Sequence, residues 1–139
     1  MMKKLFVLFL LVFFCVANAV AAGLPERNIT ADQARALVLA SLAPEQKRLP
    51  SLGADSYKDP NTSKFLFFTV TWAGTPNGSV VVGNYAVDPR TGDVFSATIG
   101  CEEETNKAPR TLQTRIRANL HLSQSEYRRL KTKGPLCED

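Results

Sequence analysis

Chemistry in this 139-residue chain would have to be carried by few groups. His121 is its single histidine, and it lies between Leu120 and Leu122. A Ser-His-Asp or Cys-His mechanism would have to recruit it, yet Ser41, Ser96, Ser123 and Ser125 lie outside any nucleophile-elbow pattern. One histidine and cysteines far apart in sequence supply no ligand pair for zinc, so no metal site is predicted. Glu102, Glu103 and Glu104 are consecutive and point in different directions. They lack the alternating oxygen ligands of a calcium loop and read as a solvated loop. Asp88 and Asp93 flank a tight turn, where aspartate is expected for its hydrogen bonds to the backbone. Gly74, Gly78, Gly83 and Gly92 fall in or between predicted strands, so no phosphate-cradling loop is formed. The expectation is a protein with no catalytic residues and no cofactor.

These groups are distributed around a sheet. Phe65 to Trp72, FLFFTVTW, is almost wholly β-branched or aromatic, the composition of a pleated, half-buried strand. Alternation places Leu66, Phe68, Val70 and Trp72 on the core face. Pro76-Asn77-Gly78 reverses the chain into a second strand, Val80 to Val87. Asp88-Pro89-Arg90-Thr91-Gly92-Asp93 reverses it again, with proline set for a type I turn and Gly92 at a left-handed position. The third strand is Val94 to Ile99.

A helix precedes the sheet. Thr30-Ala31-Asp32-Gln33 has the capping-box pattern, and Ala34, Leu37, Val38, Ser41 and Leu42 then share one face, which predicts a helix over Ala31 to Leu42. Residues 43–64 are rich in Pro, Ser, Asp, Lys and Asn and read as a long irregular connection. After the sheet, Pro109 opens a second helical pattern carrying Leu112, Ile116 and Leu120. Ser123-Gln124-Ser125-Glu126 is another capping box, and Tyr127 and Leu130 form the apolar side of a short third helix ended by Gly134-Pro135. The predicted fold class is α+β: an N-terminal helix packed on a three-stranded antiparallel meander, followed by two C-terminal helices tied back by a disulfide.

That tie follows from the predicted location. Lys3 and Lys4 precede twelve apolar residues and then small residues, the pattern of a secretory signal peptide over residues 1–22. As a helix the apolar run rises only about 18 Å, short of a hydrocarbon core of roughly 30 Å. No stable membrane insertion is therefore expected after cleavage, and the mature 23–139 domain is expected to be periplasmic or secreted. In an oxidising compartment the two remaining cysteines, Cys101 and Cys137, most simply form one disulfide.

Charge is divided unevenly along the chain. Between Gly23 and Glu104, seven basic residues meet ten acidic ones. Residues 105–133 hold eight basic residues and the single acid Glu126. This basic helical pair reads either as a solvated surface or as a partner-binding patch made of Arg110, Arg115, Arg117, Arg128, Arg129 and Lys131. An acidic protein, anionic lipid or polysaccharide would suit it. Nucleic acid is not the expected partner of an exported chain whose patch has only Tyr127 for stacking.

ITADQARALVLASL, Ile29 to Leu42, followed after a loop by YAVDPRTGDV, Tyr85 to Val94, is similar to the PepSY-like domains of bacterial envelope proteins. Those begin with a Thr-capped helix and end with a strand, an Asp-x-x-Thr-Gly turn and another strand. The resemblance implies a small non-catalytic module that binds or inhibits, with some relatives restraining peptidases. The predicted function is an exported module that inhibits or sequesters another envelope protein, of the peptidase-inhibitor or immunity-protein type. Two alternatives are a ligand-binding or sensor accessory domain, and a small cell-wall hydrolase acting through Glu102 to Glu104 with Asp93.

Overall fold

A computed structural model of the chain describes residues 27–58, 64–74, 78, 80–97, 107–132 and 134. It is an α+β fold with the order α1 (Ala31–Ser41), a 3-10 turn (Gln46–Arg48), β1 (Gly53–Tyr57), β2 (Leu66–Thr71), β3 (Val81–Val87), β4 (Val94–Ser96), α2 (Lys107–Asn119) and α3 (Gln124–Leu130). The predicted signal peptide lies outside the described residues.

The sheet has four strands rather than the predicted three, in the order β1-β2-β3-β4 and antiparallel throughout. The additional strand, β1, comes from the stretch that reads as an irregular connection. It pairs with β2 from Gly53 opposite Thr71 to Tyr57 opposite Phe67. Its sequence, GADSY, has only one residue with a high strand preference. Pairing to the strongly strand-forming β2 imposes the conformation, as expected when sheet context outweighs local preference.

The predicted disulfide is not found among the described residues either. The described residues contain no cysteine, and Cys101 and Cys137 both lie outside them. The C-terminal helices are held to the body by Ile116 of α2 in the core and by side-chain contacts to the β3–β4 turn.

Residues of alternate parity divide the sheet between two faces. Phe68 and Val70 are buried on the face covered by α1, with Tyr85, Val87 and Val94 from the neighbouring strands. Ala34, Leu37, Val38 and Leu42 supply the helical side of this core, and Ile116 of α2 completes it. The predicted apolar face of α1 is therefore the observed one, and Leu66, Phe68 and Val70 of β2 lie on the predicted side; Trp72, assigned to the same face, falls beyond β2 and is only partly buried. The opposite face of the sheet is not simply solvated, because Phe67, Ala86 and Phe95 are buried there in a second cluster with Phe65 packed against it. Phe65 meets Phe95 edge-on, with ring centroids 5.9 Å apart.

The N-terminus of α1 is closed as the sequence predicts. Gln33 N donates to Thr30 Oγ1 at 3.2 Å, and Thr30 N donates to Gln33 Oε1 at 2.8 Å, so two otherwise orphaned amides are satisfied reciprocally. Pro109 sits in the first turn of α2, where a missing backbone N–H leaves no intrahelical bond unmade.

Candidate functional site

The β3–β4 turn is where the two halves of the molecule meet. Asp88 N donates to Asp93 O, and the amides of Thr91 and Gly92 donate to Asp88 O. Gly92 has φ +72°, and a Cβ there would lie 3.3 Å from Leu37 Cδ1 of α1. Both the left-handed backbone and the close approach of the helix select glycine. We expect Gly92→Ala to destabilise the fold by about 1–2 kcal/mol, measurable by urea unfolding; an unchanged midpoint would show that the turn relaxes freely.

Asp88, Thr91 and Asp93 are buried to within 1% of complete exclusion, an unusual condition for two carboxylates. Each is supplied with partners. Arg90 donates from Nε and NH2 to the two oxygens of Asp88 at 3.0 and 2.8 Å, a bidentate pairing, and Arg90 N donates to Oδ1 as well. Thr132 Oγ1, just beyond α3, donates to Asp88 Oδ2 at 3.3 Å. Asp93 accepts from Thr91 Oγ1 at 2.9 Å, Arg117 NH2 at 2.6 Å and Tyr127 OH at 3.2 Å. Around them, Arg117 Nε donates to Thr91 O, and Gln113 Nε2 to Gly92 O. Turn residues thus bind α2 through Gln113 and Arg117, and α3 through Tyr127 and Thr132.

This geometry assigns the turn a bracing role. A carboxylate in general acid–base work must exchange its proton with substrate, whereas these oxygens are engaged by guanidinium, hydroxyl and phenol groups. The turn residues singled out in the sequence, Asp88, Pro89, Gly92 and Asp93, are brought together. The span of their influence, reaching both C-terminal helices, exceeds the local turn role they suggest.

The six cations of the predicted patch separate into two groups. Arg117 points inward, paired with Asp93 and with its guanidinium carbon 4.0 Å from the Tyr127 ring centroid. Arg110, Arg115, Arg128, Arg129 and Lys131 are exposed. Lys131 Nζ lies 6.0 Å from the centroid of the same ring. Periodicity alone could not separate Arg117 from Arg115. Gln113, a polar residue beside Leu112 and Ile116 on the apolar face of α2, was the signal that this face meets a polar surface.

Tyr127 is half-buried, and burial first, then the Asp93 carboxylate, pushes its phenol above the ordinary tyrosine value of 10.0. The folded state therefore holds this proton more tightly than the unfolded chain. The resulting stability is complete below pH 10.0 and is lost as pH rises through the raised folded value. Spectroscopic titration should show a late phenol ionisation that is lost in Tyr127→Phe. Retention of the step would place the shifted phenol elsewhere.

Glu126 is engaged at the start of α3. Its Oε2 accepts from Ser123 N at 2.8 Å and from the Ser123 hydroxyl, which hold the carboxyl below its ordinary 4.5. His121 is exposed at the α2–α3 corner with φ +52° and forms the left-handed link between the helices. The residues of the hydrolase alternative, Glu102 to Glu104, lie outside the described residues. Among the described residues, no three His, Cys, Asp or Glu side chains are grouped so as to hold a metal ion, and no helix is long and apolar enough to cross a membrane.

No family model matches the chain, and no curated protein does. A solved structure does. The fold is similar, with a TM-score of 0.57, to a chain in a type VI secretion system effector-immunity complex from Pseudomonas protegens. The likeness covers 76% of this chain and 88% of that one, at 21% sequence identity. At that identity the shared property is the fold. The PepSY-like resemblance rests on its motif residues alone.

Proposed function

We propose that the chain is an exported, non-catalytic module of the immunity-protein type, which binds and blocks an effector or toxin in the bacterial envelope. The observation that carries this reading is the similarity, over most of both chains, to a member of an effector-immunity complex. Of the two roles in such a complex, the immunity role accords better with Asp88 and Asp93. Their oxygens brace two helices and are not presented to a substrate. The N-terminal pattern of Lys3, Lys4 and the following apolar run supports export to the compartment where the target would act.

The test is protection. The complete chain should rescue cells that produce the cognate toxin in their periplasm, and the purified domain should inhibit that toxin in proportion to the amount added. Cell-wall hydrolysis by the chain itself, abolished by replacing Glu102, Glu103 or Glu104, would replace this reading with a catalytic one.

A further inference from the structure

We infer that the solvent side of α2 and α3 is a docking surface for an acidic face of a protein partner, an inference that rests on the reading of the chain as a binding module. Arg110, Arg115, Arg128, Arg129 and Lys131 are exposed there. Glu126 is the single acid within residues 107–132, and its carboxylate is engaged by the Ser123 cap. Arg27, from the far end of the described chain, joins the same region. Its NH1 donates to Leu120 O at the end of α2, and its charge helps to lower Glu126. Two helices and a segment ninety-three positions away in sequence thus contribute charge of one sign.

The platform carrying these charges is fixed. Asp93 holds Arg117 and Tyr127, while Asp88 holds Thr132, so α2 and α3 are tied to one turn of the sheet. The cations are mostly arginines, whose planar fork pairs with a carboxylate through two parallel hydrogen bonds and is less strongly hydrated than an ammonium. Clustered cations of one sign also raise the rate at which an acidic partner is captured.

An acidic protein fits this surface better than a lipid membrane does. Interfacial helices insert large apolar residues beside their cations. The exposed large apolar residues among those described are Tyr57, Val80 and Val81, all on or beside the sheet. No residue of α3 is buried, and its largest ring, Tyr127, lies under Arg117 and not out in solvent. A nucleic-acid strand would likewise lack an exposed aromatic side chain to stack on here.

The experiment compares wild-type protein with R110E/R115E/R128E/R129E and with the corresponding four-glutamine variant. Three defined probes are used: poly-L-glutamate, phosphatidylethanolamine vesicles containing phosphatidylglycerol, and a short DNA duplex. Wild-type protein should bind poly-L-glutamate with a steep loss of affinity as salt rises, and both variants should lose at least about tenfold. The glutamine variant carries the test if charge reversal disturbs folding, as read by circular dichroism. With the cognate toxin, association should slow by about tenfold in both variants. Failure to bind poly-L-glutamate would overturn the inference, as would tighter, arginine-dependent binding to the vesicles or duplex. An unchanged association rate with the toxin would overturn it while leaving the binding-module reading intact. Arginine-dependent binding to poly-L-glutamate without any toxin complex would support the acidic-partner surface and remove the immunity reading.

Discussion

Replacing Phe68 with alanine should destabilise the domain by about 4 kcal/mol, within the range for deleting a buried aromatic ring. Phe68 is completely excluded from solvent and lies in the middle of β2, opposite Ser56 of β1 and Tyr85 of β3. It faces the side of the sheet on which Leu37, Val38 and Leu42 are packed. A cavity there is enclosed by helix above and by paired strands on both sides, so little can collapse into it. Tyr57 is the internal comparison. It packs on Phe67 with centroids 5.5 Å apart but is 40% exposed, and Tyr57→Ala should cost about 1 kcal/mol or less. Urea denaturation of the two variants checks both values. Equal losses would show that the second aromatic cluster matters as much as the helix-covered core.

Asp93→Ala should destabilise by about 3 kcal/mol, because breaking a buried pair strands the remaining charge. The substitution removes the acceptor of Arg117, Tyr127 and Thr91 together. Arg117 would keep its bond to Thr91 O and its position against Tyr127, and its side chain is 21% exposed, so the loss falls at the lower end for such pairs. Arg117→Ala removes this ion pair from the buried Asp93 and should cost a similar amount. The double replacement should cost much less than the two together, with a coupling of roughly 2 kcal/mol. Additive losses in the cycle would mean that the carboxylate and guanidinium act independently. Asp93→Ala should also loosen α3 before global unfolding, since it removes the acceptor of the Tyr127 hydroxyl, the helix's side-chain bond to the turn. Faster amide exchange confined to residues 124–130 would register this.

The contrast between β1 and β2 shows which parts of the fold are legible in the residues. β2 declares itself through aromatic and β-branched composition, and α1 through Thr30, Gln33 and an apolar face at helical spacing. Both signals are local. β1 declares nothing, because Gly53, Ala54, Asp55 and Ser56 become strand only when β2 offers an edge to pair with. The opposite sheet face was similarly concealed: alternation marks Phe67 as pointing away from α1, but not as buried.

The same limit applies to the candidate site. Asp88 and Asp93 are recognisable as turn residues because their nearest partners lie within a few positions. Their long-range partners Arg117, Tyr127 and Thr132 lie 24, 34 and 44 positions away and are selected by how α2 and α3 cross the turn. Charge counting finds the basic helices but treats their arginines alike. One of them, Arg117, belongs to the brace, whereas Arg110, Arg115, Arg128 and Arg129 are exposed.

The proposed binding and blocking of an envelope toxin can be read by native mass spectrometry of the tagged chain recovered from the periplasm of its own host. The expected result is a complex of fixed stoichiometry with one secreted toxin, whose activity returns when the complex is dissociated. Recovery of the folded domain alone, from cells shown to contain the toxin, would contradict it.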